Sequence, residues 1–376
     1  MSATPVRCPA IEHPDIPLAD PADLDPLLDR LSAADAVESD EAFPVGTLRA
    51  DGRVDLCKQG LGPTGVARLL PVAATSPHAV HLLLGTNAMG TEGAQAIAGA
   101  LSPGHRVETL YLGCNRIDDE GAATLAGRLA DDDTVRALWL KRNPVGDSGV
   151  RAIAGMLRRN ETIRTLDLVN TAVTSVGLRV LLSSLTGRAK PLERLYLGGN
   201  GLSDEHADML AAFIRDAGVR ELYLTANHLG DAGAATLAGA ASPQRPLSLG
   251  LGGNGIGPDG ARTLAAALDG IESLDLGRAP SERALGAPPN HTGDAGAGAL
   301  AAALPGSPLR RLELRHTGIT GRGAKTLLAS VPADTRLEYI GLGPGVPRRV
   351  KRELAPRLRV AAAVHSDLHA IASVYR

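Results

Sequence analysis

The sequence predicts an α/β solenoid: a horseshoe of stacked rows, with a continuous parallel sheet on its concave side and helices on its convex side. Three observations predict it. One motif, apolar-x-x-Leu-x-Leu-x-x-Asn-x-apolar, recurs at VETLYLGCNRI (107–117), VRALWLKRNPV (135–145), LERLYLGGNGL (192–202) and VRELYLTANHL (219–229). Its Asn position returns at Asn87, Asn115, Asn143, Thr171, Asn200, Asn227 and Asn254, a spacing of 27–29 residues, and a period of that length marks an array of stacked units. Within each unit the hydrophobic period changes: Leu110-Tyr111-Leu112 alternates as a strand does, whereas GAATLAGRL (121–129) places its apolar residues at helical spacing.

Each element has a physical reason. A single row cannot bury its apolar face alone, so the rows must stack. Strands stack at about 4.8 Å and helices at about 8–10 Å, and that mismatch bends the array with the strands inside. The Asn slot (Asn87, Asn115, Asn143, Asn200, Asn227, Asn254) offers a side-chain amide to backbone groups of the turn that no ladder bond reaches. Asp118-Asp119 and Asp147-Ser148 stand just ahead of their helices, where they can cap free N–H groups.

In chain order, residues 1–50 form an acidic N-terminal capping segment with a short helix over 20–36. Residues 51–347 hold about eleven rows, from VDLCKQGL (54–61), with Gln59 in the Asn slot, to LEYIGL (337–342). The pattern breaks after Leu276 and resumes at Asn290, so an insertion near 279–289 is expected as a solvated loop on the rim. Residues 348–376 form a basic C-terminal capping helix (348–360) and a tail, whose last residues either pack on that helix or fray.

Composition narrows the function classes. The chain has 376 residues, of which 44% are hydrophobic and 21% charged, a globular balance that excludes wholesale disorder. A net charge of −2 gives no global pull toward nucleic acid or an anionic membrane. Charge is segregated, with ten acids against three arginines in residues 1–50 and seven bases against two acids in 348–376. No apolar run is long enough to span a membrane. Cys8, Cys57 and Cys114 are too few and too scattered for a disulfide framework, and no Cys-x-x-Cys suggests zinc. The first twenty residues lack a basic start followed by an apolar run, so a cytoplasmic protein is expected, in which the sequons at Asn160 and Asn290 are silent. The Ala/Gly/Leu/Arg bias points to a GC-rich bacterial genome.

No catalytic constellation stands out. Gly-x-Gly-x-x-Gly occurs at 60–65 and 255–260, but these glycines sit in the turn of the repeat and recur because the row recurs. His365 and His369 stand four apart without an adjacent Glu, a weak metal pattern. No catalytic residue, metal or cofactor is expected.

The motif L-x-x-L-x-L-x-x-N-x-L/I followed by x-x-x-G-A-x-x-L resembles the ribonuclease-inhibitor-like subfamily of leucine-rich repeats over roughly residues 51–347. That subfamily includes ribonuclease inhibitors, Ran GTPase-activating proteins and the sensor ends of nucleotide-binding immune receptors, so the resemblance implies protein binding on the horseshoe. This chain departs from a true ribonuclease inhibitor, which is cysteine-rich and acidic, because its repeats carry two cysteines and no net charge. No active residue carries over by motif.

The residue between the two strand leucines points away from the core. That column contains Tyr111, Trp139, Asp167, Tyr196 and Tyr223, and so four of the chain's eight aromatic residues. Lys141, Arg194 and Glu221 flank it. Tyr and Trp are the residue types that anchor interfaces, so the expectation is a non-catalytic, monomeric scaffold holding a protein partner on the concave sheet, without nucleic acid or membrane. The alternatives are a GTPase-activating regulator that contacts a small GTPase and a carbohydrate-binding module that stacks sugar rings on the column.

Overall fold

The computed structural model describes residues 3–280 and 282–374. The chain divides into two compact units, residues 1–192 together with 364–376, and residues 193–363. In the first, Glu41–Ala42 and Thr47–Leu48 form an antiparallel hairpin that leads into the parallel strands Arg53–Asp55, His81–Leu83, Thr109–Tyr111, Ala137–Trp139 and Thr165–Asp167. In the second, Arg194–Tyr196, Glu221–Tyr223, Leu247–Gly250, Ile271–Asp275, Arg311–Glu313 and Tyr339–Gly341 are all parallel. Each strand of the rows is followed by a helix, such as Asp119–Leu129, Gly146–Leu157 or Gly230–Ala238. Each unit is thus an α/β solenoid.

The repeat sets the register. Arg53, His81, Thr109, Ala137 and Thr165 are Cα partners in one file of the first unit, and Asp55, Leu83, Tyr111, Trp139 and Asp167 in another. Between those files Val54, Leu82, Leu110, Leu138 and Leu166 point to the helices and are fully buried. Ile97, Leu125, Ile153 and Leu181 meet them from the helices, each at most 1% exposed.

The Asn slot braces the turns. Asn143 donates through Nδ2 to the carbonyls of Leu112 and Leu140 (both 2.9 Å), and its Oδ1 accepts from the Asn115 and Ile117 N–H groups (2.8 and 3.0 Å). Each amide therefore stitches its own row to the one before. The chain reaches it through residues of positive φ, Thr86, Cys114, Arg142, Asn170 and Ala226, each one position ahead of the slot. Where Thr171 replaces Asn, its hydroxyl donates to Leu168 O (2.8 Å). Asn290 fills the slot of the interrupted row, bonding Leu251 O and Leu276 O (2.8 and 3.0 Å). Both sequon asparagines, Asn160 and Asn290, are 2% exposed.

The helix caps differ in part from expectation. Asp118 caps its own helix, accepting from Gly121 N–H (2.9 Å). Asp147 does not: it lies inside the first turn of its helix and reaches the next row, where it accepts from Thr174 N–H, Gly177 N–H and Thr174 Oγ1. Asp231 and Asp294 do the same toward Gly257 and Thr320. Carboxylates at helix N-termini so tie successive rows, as amides do at the turns.

The ends and the insertion bring corrections. The N-terminal helix over 20–36 is a 3₁₀ turn, Pro21–Leu24, followed by Asp25–Ser32, and the closing helix is Arg348–Leu354 with a 3₁₀ turn, Ala355–Arg357. The expected solvated insertion instead packs inward: Ala279, Leu285 and Ala287 cluster with Ala226, and Glu282, 4% exposed, pairs with Arg278 at 2.7 Å. Its apolar alanines find the turn of an earlier row to cover. Cys8 and Cys114 form a disulfide with a Cα–Cα distance of 5.5 Å, contrary to the reading of scattered thiols. The cause is the path of the N-terminal arm, which runs along the row turns of the first unit. Ala19 N–H bonds Gly60 O (2.9 Å), Arg116 bonds Pro14 O (3.0 Å), and Asn170 bonds Pro5 O and Arg7 N–H (2.9 and 2.8 Å).

Candidate functional site

Alternation along each strand sends the residues on either side of the buried leucine to the outward face of the sheet, away from the helices. In the second unit that face presents Tyr196 and Tyr223, stacked with ring centroids 4.4 Å apart and an interplanar angle of 9°. Parallel pairing without a slip places the two rings directly opposite. A Cβ on Gly250 would lie 2.5 Å from the Tyr223 ring, so the bare backbone of the next strand is what lets that ring lie flat. Both tyrosines are half-buried. Arg194 pairs with Glu221 (2.9 Å) and Glu193 (3.1 Å), and Glu221 in turn accepts from the Tyr223 hydroxyl (2.9 Å). Burial, and then the Glu221 carboxylate, push the Tyr223 phenol well above its ordinary pKa, so it remains a hydrogen-bond donor. A flat aromatic plate edged by a fixed ion pair suits a partner with an apolar contact and a polar rim.

In the first unit the column is closed. Tyr111 is 4% exposed and Trp139 and Asp167 are fully buried, which corrects the expectation of standing, solvent-facing anchors. Tyr111 lies down along its sheet: its ring occupies the space of a Cβ on Gly85 (2.4 Å away) and borders Gly113. Lys141 Nζ sits 5.4 Å from the Tyr111 ring centroid, a cation–π distance. Burial lowers the Lys141 pKa and raises that of Asp167 to about 6, each charge partly offsetting the cost of the other. Asp167 Oδ1 accepts from Val169 N–H (2.8 Å), while its Oδ2 meets no donor among the described residues.

The C-terminal segment packs at this face, whereas the sequence predicts that it joins the closing helix or frays. The helix Ser366–Ala370 belongs to the first unit. Asp367 accepts from Arg164 Nε and Nη2 (3.0 and 2.8 Å) and from Thr165 Oγ1 (2.8 Å). A signal for this was present in the tail, where Ser366-Asp367 opens a helical turn with Ala370 and Ile371 three and four positions on. Its target was not legible, because the contact spans about two hundred residues. Among the described residues no three His, Cys, Asp or Glu side chains group as a metal site, and no helix is long and apolar enough to cross a membrane.

Comparisons with known proteins agree with this geometry. Five segments, 107–126, 134–154, 219–238, 247–265 and 307–328, match the leucine rich repeat family model. Among solved structures, the yeast Rad7–Elc1 complex is similar with a TM-score of 0.57 and 16% identity, over 90% of this chain and 82% of that one. The second actin-binding site of leiomodin-1 aligns over 43% of this chain and 89% of that one, at 16% identity and a TM-score of 0.34. No curated protein matches the sequence. With one strand, one turn and one helix to each row, and five of those rows matched in sequence, the chain carries leucine-rich repeats.

Proposed function

We propose that this protein is a non-catalytic scaffold of the ribonuclease-inhibitor-like kind, which holds a partner protein against the outward face of its sheets. The observation that carries the reading is the half-buried Tyr196–Tyr223 stack beside the Arg194–Glu221 pair. A preordered aromatic plate loses little side-chain entropy on binding, and Tyr and Arg are the residues that most often dominate interface energetics. The similar Rad7 chain is described in a complex with Elc1, which is consistent with a binding role for such a fold. Partner capture with the tagged full chain tests the proposal. Replacing both Tyr196→Ala and Tyr223→Ala should weaken retention of the captured protein by about 2 kcal/mol or more, with far-UV circular dichroism unchanged. Undiminished retention by the double variant would overturn it.

A further inference from the structure

The next inference rests on the reading of the sheet face as a binding surface, and it names the ligand of the first unit. On an uncovered antiparallel or parallel face, outward side chains meet water. Here Leu83, Thr109, Ala137 and Trp139 all point outward, yet each is at most 1% exposed. Two anchors of the chain's own C-terminus bracket them. At one end Arg164 grips Asp367 with a two-pronged guanidinium contact (3.0 and 2.8 Å), adds a bond to Ser366 Oγ (3.1 Å), and is joined by the Thr165 hydroxyl (2.8 Å). At the other, His369 Nε2 lies 3.3 Å from Asp51 Oδ2, and Ser373 and Val374 border a cleft with Thr47, Asp55 and Cys57. Between the anchors, Ala370 and Ile371 are each 1% exposed.

The segment has the build of a ligand rather than of a core element. A short helix, the forked ion pair, the Thr165 and Ser366 bonds, the His369–Asp51 contact and the buried Ala370 and Ile371 hold it. The chain that leads to it, residues 359–364, is exposed throughout, with Val360 95% and Val364 63% exposed. A two-pronged Arg–carboxylate contact reads a planar acid specifically. We infer that the outward face of the first unit is a binding site for peptide segments that open a helical turn with an acidic residue and carry small or β-branched apolar residues three and four positions later. Residues 364–374 are its resident, displaceable occupant. The covalent link holds the segment close to the site and so keeps the site filled. A competing partner segment therefore binds with an affinity reduced by the fraction of molecules whose site is open.

Trp139 is the chain's single tryptophan, so its fluorescence reports the state of this face in the full chain. The probe is a fluorescein-labelled peptide, VHSDLHAIASV, with the sequence of residues 364–374. Asp367→Arg should red-shift the Trp139 emission, raise its quenching by acrylamide and bind the probe at least about tenfold more tightly than the unaltered chain does. The same peptide carrying Asp367→Arg should not bind. Adding Arg164→Glu to Asp367→Arg restores the ion pair in reverse and should return the blue emission. Unchanged emission and quenching in Asp367→Arg, probe binding indifferent to the acidic residue, or failure of the reversed pair to restore the emission would each overturn the inference. If Asp367→Arg lowers overall stability, the reversed pair alone decides. The tyrosine variants of the second unit remain a separate test: their loss of partner retention can hold while the tail proves immovable, and the reverse can also occur.

Discussion

Asp167 and Asp275 occupy the same outward position of their respective strands, and burial raises both carboxyl pKa values from the ordinary 3.8 to about 6. For an acid held in this way, the folded chain keeps its proton between roughly pH 4 and 6 while the unfolded chain releases it. Stability is therefore full below the ordinary value and declines as the pH rises to about 6. For Asp167 the difference is on the order of 3 kcal/mol at neutral pH, an upper figure before relaxation. Asp167→Asn mimics the protonated acid and can keep the bond from Val169 N–H. It should raise the melting temperature at pH 7.5 and leave it unchanged at pH 3.5; equal gains at both would refute the assignment. Trp139 has a different lesson. Its strand position and outward direction are legible in the sequence, yet full burial means that Trp139→Ala would cost about 3–5 kcal/mol of folding stability, too much for a clean test of binding.

The row is the element that the sequence makes most legible. Strand, turn and helix were readable because each repeats with its own period, and the Asn slot because it recurs in most of the turns. The amide has four jobs in one side chain, two donated and two accepted bonds, all of them buried. Asn143→Ala would leave the carbonyls of Leu112 and Leu140 and the N–H groups of Asn115 and Ile117 without these partners. Such losses cost about 1–3 kcal/mol per buried group, less whatever water recovers. The expected result is a drop of several kcal/mol in chemical denaturation, larger than that of Thr171→Ala, whose shorter side chain bonds Leu168 O. The Asp residues at helix starts were legible as caps but not as links between rows, because the identity of the capped helix depends on how far apart neighbouring helices settle. The disulfide belongs to this scale too. Cys57 is unpaired, and burial raises its thiol pKa to about 12. In denaturant a thiol reagent should titrate one cysteine per chain without reductant and three after reduction. Reduction of the native protein should free the N-terminal arm to limited proteolysis; an arm equally protected in both states would show that the bridge does not hold it.

At the scale of the whole molecule, stability is shared between neighbours. Each row buries its apolar face only against the rows on either side, so damage spreads along the stack. Leu112 is fully buried in the first unit, and its carbonyl accepts from Asn115 and Asn143. Leu112→Asp should abolish hydrogen-exchange protection over several consecutive rows of that unit together. Loss confined to residues 107–129 would contradict this coupling.

Local chemistry written into residues close along the chain sufficed for the repeat length, the strand–turn–helix order, the amide ladder and the direction of the outward column. Those features depend on periods of two, about 3.6 and 27–29 residues, all of which a linear reading can count. Closure of the first unit's face, the Cys8–Cys114 bridge and the inward fold of the 279–289 insertion came only with the tertiary structure. They join residues 106 positions apart in the bridge and 203 in the Arg164–Asp367 contact. No local period encodes such pairs, and only the stacked rows bring their partners within reach.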